Sequence, residues 1–130
     1  MGQISSEKSA TAVEPVLLRE RRGAVAILKL NRPEARNALS EALITALQQA
    51  LVALNARSDV HVIVIAGQGP VFCAGHDLRE LSAHRDDGDG GRNFYSRIMR
   101  ECSQLMQAIV KSPKPVIAAV EGVATAAGCQ

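Results

Sequence analysis

Apolar residues occur along the chain in two patterns, which together predict strands alternating with helices. Short runs rich in Val, Ile and Leu, bounded by polar residues, glycine or proline, are typical of strands. Such runs occur at Val16–Arg21, Val25–Leu30, Val62–Ala66 and Val116–Val120. Apolar residues spaced three or four positions apart indicate helices over Ser40–Ser58 and Phe94–Lys111.

The order of these elements indicates the fold class. Only a short segment around Gly23 separates the first two strands, which predicts an antiparallel hairpin. The order ββ-α-β-α-β predicts an α/β fold with a largely parallel core. With 130 residues, 47% of them hydrophobic, the chain has enough apolar material for one core. We therefore expect a flexible lead over residues 1–14 and one folded unit over residues 15–130.

Charge and composition exclude two classes of partner. The formal net charge is +2 and aromatic residues make up 2% of the chain, so the sequence offers neither a strongly basic surface nor stacking platforms for bases. No apolar run reaches the roughly 18 residues that span a membrane. We expect neither a nucleic acid nor a membrane as partner.

Cysteine usage and the acidic residues give no sign of a metal site. Cys73, Cys102 and Cys129 are far apart and form no Cys-x-x-Cys pair, which predicts reduced, buried thiols in an intracellular protein. The acidic residues between Arg85 and Gly91 lack the spacing of a calcium-binding loop and predict a solvated loop. We expect no metal.

The first residues bear on the cellular compartment. They are polar and lack the apolar segment of a secretory signal, and Glu7 and Glu14 are atypical of a mitochondrial presequence. We expect a cytoplasmic protein, with the mitochondrial matrix left open for a eukaryotic one.

Two strands are each followed by small residues and glycine and then by an apparent helix start. The first of these turns contains Ala74 and Gly75, and the second contains Ala126, Ala127 and Gly128. Turns of this kind expose backbone N–H groups, and a helix start adds partial positive charge. If both converge on one point, they form an anion site of the oxyanion-hole type, which is suited to acyl chemistry.

Three motifs carry a resemblance to a known family. They are LNRPEARNALS over Leu30–Ser40, VFCAGHDLREL over Val71–Leu81 and KPVIAAVEGVATAAGCQ over Lys114–Gln130. In this order and spacing they resemble the crotonase, or enoyl-CoA hydratase/isomerase, superfamily, and most closely its enoyl-CoA hydratase domain-containing subgroup. The resemblance implies a spiral of strand–strand–helix turns, of which this chain is the N-terminal half. It also implies an acyl-CoA substrate, no further cofactor, and a trimer or dimer of trimers in a full-length form.

The same resemblance assigns site residues. The backbone N–H groups of His76 and Ala127 would form the oxyanion hole, and Gln130 would occupy an acid/base position. Arg36 would meet a phosphate of CoA, a role that suits a guanidinium. Substrate-binding positions are implied at Arg36, Ala38, Ala74, Gly75, His76, Asp77, Leu78 and Ala127. The His76 side chain is not expected to take part, and Asp77 is expected to cap a helix.

Gln130 departs from the hydratase pattern. The corresponding hydratase residue is a catalytic glutamate, whereas an amide serves neither as general acid nor as general base. A second catalytic glutamate would lie beyond the last residue, so this chain alone is expected to be inactive as a hydratase. The alternative is a non-catalytic or truncated relative that binds acyl-CoA or associates with other subunits.

Overall fold

A computed structural model describes residues 14–130, so all of the expected lead except Glu14 lies outside the described residues. The strands are β1 (Leu17–Arg22), β2 (Val25–Leu30), β3 (Val62–Gly67), β4 (Val71–Cys73), β5 (Val116–Ala119) and β6 (Val123–Ala124). The α-helices are α1 (Glu41–Asn55), α2 (Leu78–Ala83) and α3 (Arg92–Val110). Short 3-10 turns cover Pro33–Ala35 and Ala126–Gly128.

The main sheet has the order β1-β2-β3-β5. Strands β1 and β2 form the expected antiparallel hairpin, while β2, β3 and β5 run parallel to one another. Ile63 in β3 pairs with Ala26 on one side and with Val116 on the other. The α/β class and the parallel core predicted from the sequence are confirmed.

The core lies between this sheet and the helices α1 and α3. Its largest fully buried apolar side chains are Leu28, Leu43, Ile44, Leu51, Val60, Ile63, Ile98 and Leu105. Complete burial of each Leu or Ile contributes about 1.5–3 kcal/mol. This shared apolar layer holds α3 beside the ends of the strands, where the glycine-bearing turns lie.

Helix α1 begins where the sequence predicts it and ends earlier. The hydroxyl of Ser40 accepts a hydrogen bond from the N–H of Leu43, so Ser40 is the N-cap of α1. The helix ends at Asn55 instead of Ser58 because the ammonium group of Lys114 binds the carbonyl oxygens of Leu54 and Arg57. That long-range contact satisfies the carbonyl oxygen of Leu54 in the last turn of α1 and has no signature in the local sequence.

The structure adds a small second sheet that the sequence analysis missed. It consists of β4 and β6, which pair in parallel. Both strands are too short to show a periodic pattern. The helix start expected after the second glycine-bearing turn is a 3-10 turn over Ala126–Gly128. Within residues 14–130, no helix is long and apolar enough to cross a membrane.

Candidate functional site

The second sheet brings the two glycine-bearing turns together. Val71 pairs with Val123 and Cys73 with Ala124, so the residues that follow β4 and β6 leave the sheet at the same edge. The N–H of Thr125 donates a hydrogen bond of 3.1 Å to the carbonyl oxygen of Cys73. Two segments that are about fifty residues apart in the sequence therefore begin from one pair of strands.

The contact between the turns allows only small residues. Gly75 has a φ of +91°, and a Cβ there would lie 2.9 Å from the Cβ of Ala126 and 3.3 Å from the nitrogen of Ala127. At Gly128 a Cβ would overlap the carbonyl oxygen of Cys73. Glycine is therefore required for a close approach at both positions and for a left-handed backbone at Gly75.

The backbone around His76 has a defined orientation. The N–H of Leu39 donates to the carbonyl oxygen of Gly75 at 2.7 Å, and the N–H of Asp77 donates to the carbonyl oxygen of Leu39 at 3.2 Å. Because Leu39 forms hydrogen bonds with both neighbours of His76, the N–H and the carbonyl oxygen of His76 itself point away from Leu39. Among residues 14–130, neither the N–H of His76 nor that of Ala127 has an acceptor.

One cavity of about 620 Å³ is lined by His76, Ala127 and Gln130 together. Helix α3 forms its other wall through apolar side chains such as Met99 and Met106 and through a few polar ones. A second cavity of about 500 Å³ shares Met106, Ala127 and Gln130 with the first and is otherwise lined mainly by core residues. The three residues assigned to the reacting centre thus lie around the same space.

The side chain of Asn37, which the sequence analysis did not single out, connects the turn before α1 to the segment between β3 and β4. Its side chain is fully buried. Its Oδ1 accepts from the N–H of Arg32 at 2.8 Å, and its Nδ2 donates to the carbonyl oxygens of Gln68 at 2.9 Å and Val71 at 2.8 Å. Its φ is +52°, which Asn tolerates better than most residues. An Asn in a short proline-containing turn was the available signal.

Most of the predicted substrate-binding residues lie on two neighbouring segments, residues 36–39 and 74–78, which together form one strip. The N–H of Ala74 donates to the carbonyl oxygen of Arg36 at 3.1 Å, which joins the first motif to the second. Arg36 itself is exposed and left-handed, with a φ of +55°. Ala38 is buried, and its carbonyl oxygen accepts from Arg32, whereas Leu78 is 73% exposed. Their roles stay predictions.

Asp77 caps α2, as expected. Its Oδ1 accepts from the N–H groups of Arg79 at 3.0 Å and Glu80 at 3.1 Å, and its Oδ2 binds the guanidinium of Arg32 at 2.9 Å. Burial alone would raise the pKa of this carboxyl group, but the hydrogen bonds from Glu80 and Arg32 and the charge of Arg32 outweigh it, so the pKa is lowered. Asp77 is therefore committed to structure, and Arg32 is the second residue that the sequence analysis missed.

We expect Asp77→Asn to destabilise the fold at neutral pH by about 1–3 kcal/mol, because it removes a charged partner of Arg32 and weakens the cap. A lowered native-state pKa means that the Asp77 contribution is present above the ordinary carboxyl pKa and is lost as the pH falls through the native value. Urea unfolding at neutral pH and below about pH 4 should show the two proteins converging in acid. Asp86→Asn, at an exposed loop position, is the matched control and should follow the wild type. A constant gap between Asp77→Asn and the wild type across this range would contradict the assignment.

The cysteines and other metal-ligating residues give a mixed outcome. Burial raises the pKa of the thiols of Cys73 and Cys102, which are both buried as expected. Cys129 is exposed, so the expectation of burial is wrong there, because the 3-10 turn presents it outward at its end. No group of three or more His, Cys, Asp or Glu side chains within the described range could hold a metal ion.

The sequence of the chain is similar to those of known proteins. The model of the enoyl-CoA hydratase/isomerase family matches residues 20–130. The chain is 43% identical over 113 residues to enoyl-CoA hydratase domain-containing protein 3, mitochondrial, of Danio rerio, covering 87% of this chain and 37% of that protein. It is also 43% identical to the Homo sapiens protein of the same name over 101 residues, covering 78% of this chain and 32% of that protein.

Solved structures of related proteins also superpose on the chain. The enoyl-CoA hydratase of Mycobacterium smegmatis superposes with a TM-score of 0.82 at 46% identity, covering 89% of this chain and 44% of that one. Human enoyl-CoA hydratase domain-containing protein 3 gives a TM-score of 0.79 at 37% identity, covering 88% of this chain and 43% of that one. The chain thus spans about a third of the length of these two curated relatives and less than half of these solved chains.

Proposed function

The chain belongs to the enoyl-CoA hydratase/isomerase, or crotonase, family, and we propose that it binds an acyl-CoA thioester and stabilises the thioester enolate. The donors are the backbone N–H groups of His76 and Ala127. The observation that carries this proposal is that both residues line one cavity while neither N–H has an acceptor among residues 14–130.

The chemistry explains why two free N–H groups matter. The carbonyl oxygen of a thioester gains negative charge when its α-proton leaves. Donors that are already oriented therefore stabilise the enolate more than the ground state. Loss of one such donor typically raises a reaction barrier by about 2.7–4 kcal/mol.

Coenzyme A would follow the strip that the first two motifs form. The main chain over Ala74–Leu78 would lie against the adenine and pantetheine portions, and the exposed guanidinium of Arg36 would meet a phosphate. Arg36 is held near this strip through its carbonyl oxygen, which accepts from Ala74. Coenzyme A enters here as part of the substrate, and the proposal includes no separate cofactor.

Ordinary hydration is not part of the proposal. Gln130, to which the family resemblance assigns the acid/base position, lines the cavity, and the other lining residues within the described range include no Asp or Glu. Addition of water across a double bond needs a group that activates the water. We expect hydration of crotonyl-CoA to be absent or very slow. The assay measures the loss of the absorbance of the conjugated double bond. A hydratase-like rate would contradict this.

Gly75→Ala tests the proposed oxyanion hole. The added methyl group would press against Ala126 and the nitrogen of Ala127 at a φ of +91°, so it should separate the two donors. The readout is the enolate of acetoacetyl-CoA, which absorbs in the near ultraviolet. The wild-type chain should raise the enolate fraction at fixed pH, and we expect Gly75→Ala to lose about 2.7–4 kcal/mol of that stabilisation, or about 100-fold or more in the enolisation constant.

Gly90→Ala is the matched control. Gly90 also has a positive φ, +68°, but no atom of the described residues lies within 4 Å of the added methyl group. It carries the backbone strain without the wedge, so it should behave as the wild type in the enolate assay. Equal losses in both variants would show that backbone strain, and not the approach of the two turns, is responsible.

A second candidate function is association without catalysis. The edge strand of the main sheet, β5, and the residues that follow it through β6 expose apolar side chains, with Ile117 and Val120 each 52% exposed and Val123 59% exposed. Exposed apolar surface of this kind favours contact with another apolar surface, as in the trimers or dimers of trimers implied for a full-length form. Binding of acyl-CoA without any enolate signal would favour this candidate.

We propose that the protein acts in the mitochondrial matrix or in the cytoplasm. Relatives from vertebrates carry the word mitochondrial in their names, and bacterial enoyl-CoA hydratases also match the chain. These relatives support either the mitochondrial matrix or the cytoplasm as the site of action.

A further inference from the structure

The cavity that His76 and Ala127 line has one strongly basic side chain in its wall. That side chain belongs to Lys111, directly after α3, and no other lysine or arginine among residues 14–130 lines the cavity. No Asp or Glu in the same range lines it either. Lys111 forms no salt bridge with any of the described residues. The described part of the chain therefore does not balance this positive charge, and an unbalanced charge in a cleft attracts anions.

Hydrogen bonds along α3 orient the ammonium group of Lys111. Its Nζ donates to Oε1 of Gln107 at 3.4 Å, and Nε2 of Gln107 donates to Oγ of Ser103 at 3.4 Å. Ser103, Gln107 and Lys111, here called the polar row, follow one another four positions apart, so they share one face of the helix, and all three line the cavity. Both hydrogen bonds are long and exposed, so a carboxylate can replace the contact of the ammonium group at little cost.

The polar row shares the cavity wall with apolar side chains. Met106 and Val110 line the same wall, and Ala127 lies on the other one. At a rise of about 1.5 Å per residue, Ser103 and Lys111 are about 12 Å apart along the helix axis. A purely apolar ligand would place methylene groups against the ammonium group and the amide, which is unfavourable for groups that lose water. A ligand that is apolar along its length and anionic at its end would suit both parts of the wall.

We propose that this cavity takes an ω-carboxyacyl-CoA, the half-thioester of a dicarboxylic acid, whose free carboxylate pairs with Lys111. The inference rests on the proposed function and names its substrate class. The thioester oxygen accepts from the N–H groups of His76 and Ala127, and the methylene groups of the acyl chain lie against the apolar side chains of α3. The terminal carboxylate accepts from the ammonium group of Lys111 and from the amide of Gln107.

The test compares thioesters that have the same number of acyl carbons and differ in the terminal group. Calorimetry measures the affinities for glutaryl-CoA against pentanoyl-CoA and for adipoyl-CoA against hexanoyl-CoA. In at least one pair, we expect the wild-type chain to bind the carboxylate-bearing thioester about 3–10-fold more tightly. Lys111→Met should abolish this preference and leave the affinity for the uncharged partner unchanged, whereas Lys111→Arg should retain most of it. Added salt should weaken the preference, because Lys111 is exposed.

Arg100→Met is the matched control, because Arg100 is exposed on the same helix and lies outside the cavity lining, so its loss should leave the preference intact. An equal loss in both variants would show that only net charge matters. An equal weakening of all four thioesters in Lys111→Met would mean that Lys111 meets a phosphate of CoA instead. Either result, or no preference in the wild type, would overturn the inference and leave thioester binding intact. Failure of the wild-type chain to bind any of the four thioesters would overturn the proposed function as well.

Discussion

Gly122→Ala is expected to separate β6 from β4 and dismantle the candidate site. Gly122 has a φ of +102°, and a Cβ there would overlap the carbonyl oxygen of Pro70. A left-handed backbone with a side chain is unfavourable by about 1–2 kcal/mol, and overpacking adds about 1–3 kcal/mol. Because Gly122 directly precedes β6, the strain acts on the strand that positions Ala127.

Hydrogen exchange is the direct measurement. The N–H of Thr125 donates to the carbonyl oxygen of Cys73, so its protection reports whether β6 stays beside β4. We expect that protection to be lost in Gly122→Ala and the urea midpoint to fall. Gly88→Ala is the control, since the φ of Gly88 is ordinary and, in the part of the chain that the structure describes, nothing lies within 4 Å of an added methyl group. Retained protection at Thr125 would mean that the turn relaxes without disturbing the site.

Asn37→Asp is expected to destabilise the protein by about 3–5 kcal/mol at neutral pH, the usual result of an uncompensated buried charge. The substitution keeps the shape of the side chain and the acceptor for Arg32. It replaces the amide donor by an anionic oxygen that faces the carbonyl oxygens of Gln68 and Val71. The native state should therefore raise the pKa of the new carboxyl group.

That change gives the prediction a pH signature. When the native state raises the pKa of a carboxyl group, the protein is more stable below the unfolded-state pKa than at neutral pH. This extra stability is lost as the pH rises through the native-state pKa. Asn37→Asp should therefore approach the wild type in urea unfolding near pH 3–4 and diverge above it. Asn31→Asp is the control, because among residues 14–130 the side chain of Asn31 makes one hydrogen bond, an exposed one to the carbonyl oxygen of Pro15, and the variant should show little pH-dependent change. A small, pH-independent effect at position 37 would contradict the proposed role of its amide.

The elements that the sequence predicted share a physical property: each is long enough for its side chains to repeat. Helix α3 was recognised because Phe94, Ile98, Cys102 and Leu105 recur on one face, and these residues are buried together. Strand β3 was recognised as a continuous apolar run, and it pairs on both sides. The sequence predicted the ends of elements less accurately. Helix α1 ends at Asn55, where Lys114 binds the carbonyl oxygen of Leu54, and not at the predicted Ser58.

The elements that the sequence missed are those whose structure depends on distant partners. Strand β4 has three residues and β6 has two, so neither carries a period, and each exists because it pairs with the other. Arg32 and Asn37 were overlooked for a related reason. Their partners Asp77, Gln68 and Val71 lie more than thirty positions away in the sequence.

The family, the α/β class, the two glycine-bearing turns and the glutamine at position 130 were all evident from the sequence alone. These properties depend on local chemistry: the backbone freedom of glycine, apolar spacing and the identity of Gln130. The tertiary structure was needed to show that the two turns meet, that His76, Ala127 and Gln130 line one cavity, and that one ring nitrogen of His76 is buried without a partner among residues 14–130. The reason is that burial and mutual approach are properties of residues brought together from separate parts of the chain, and no local pattern specifies them.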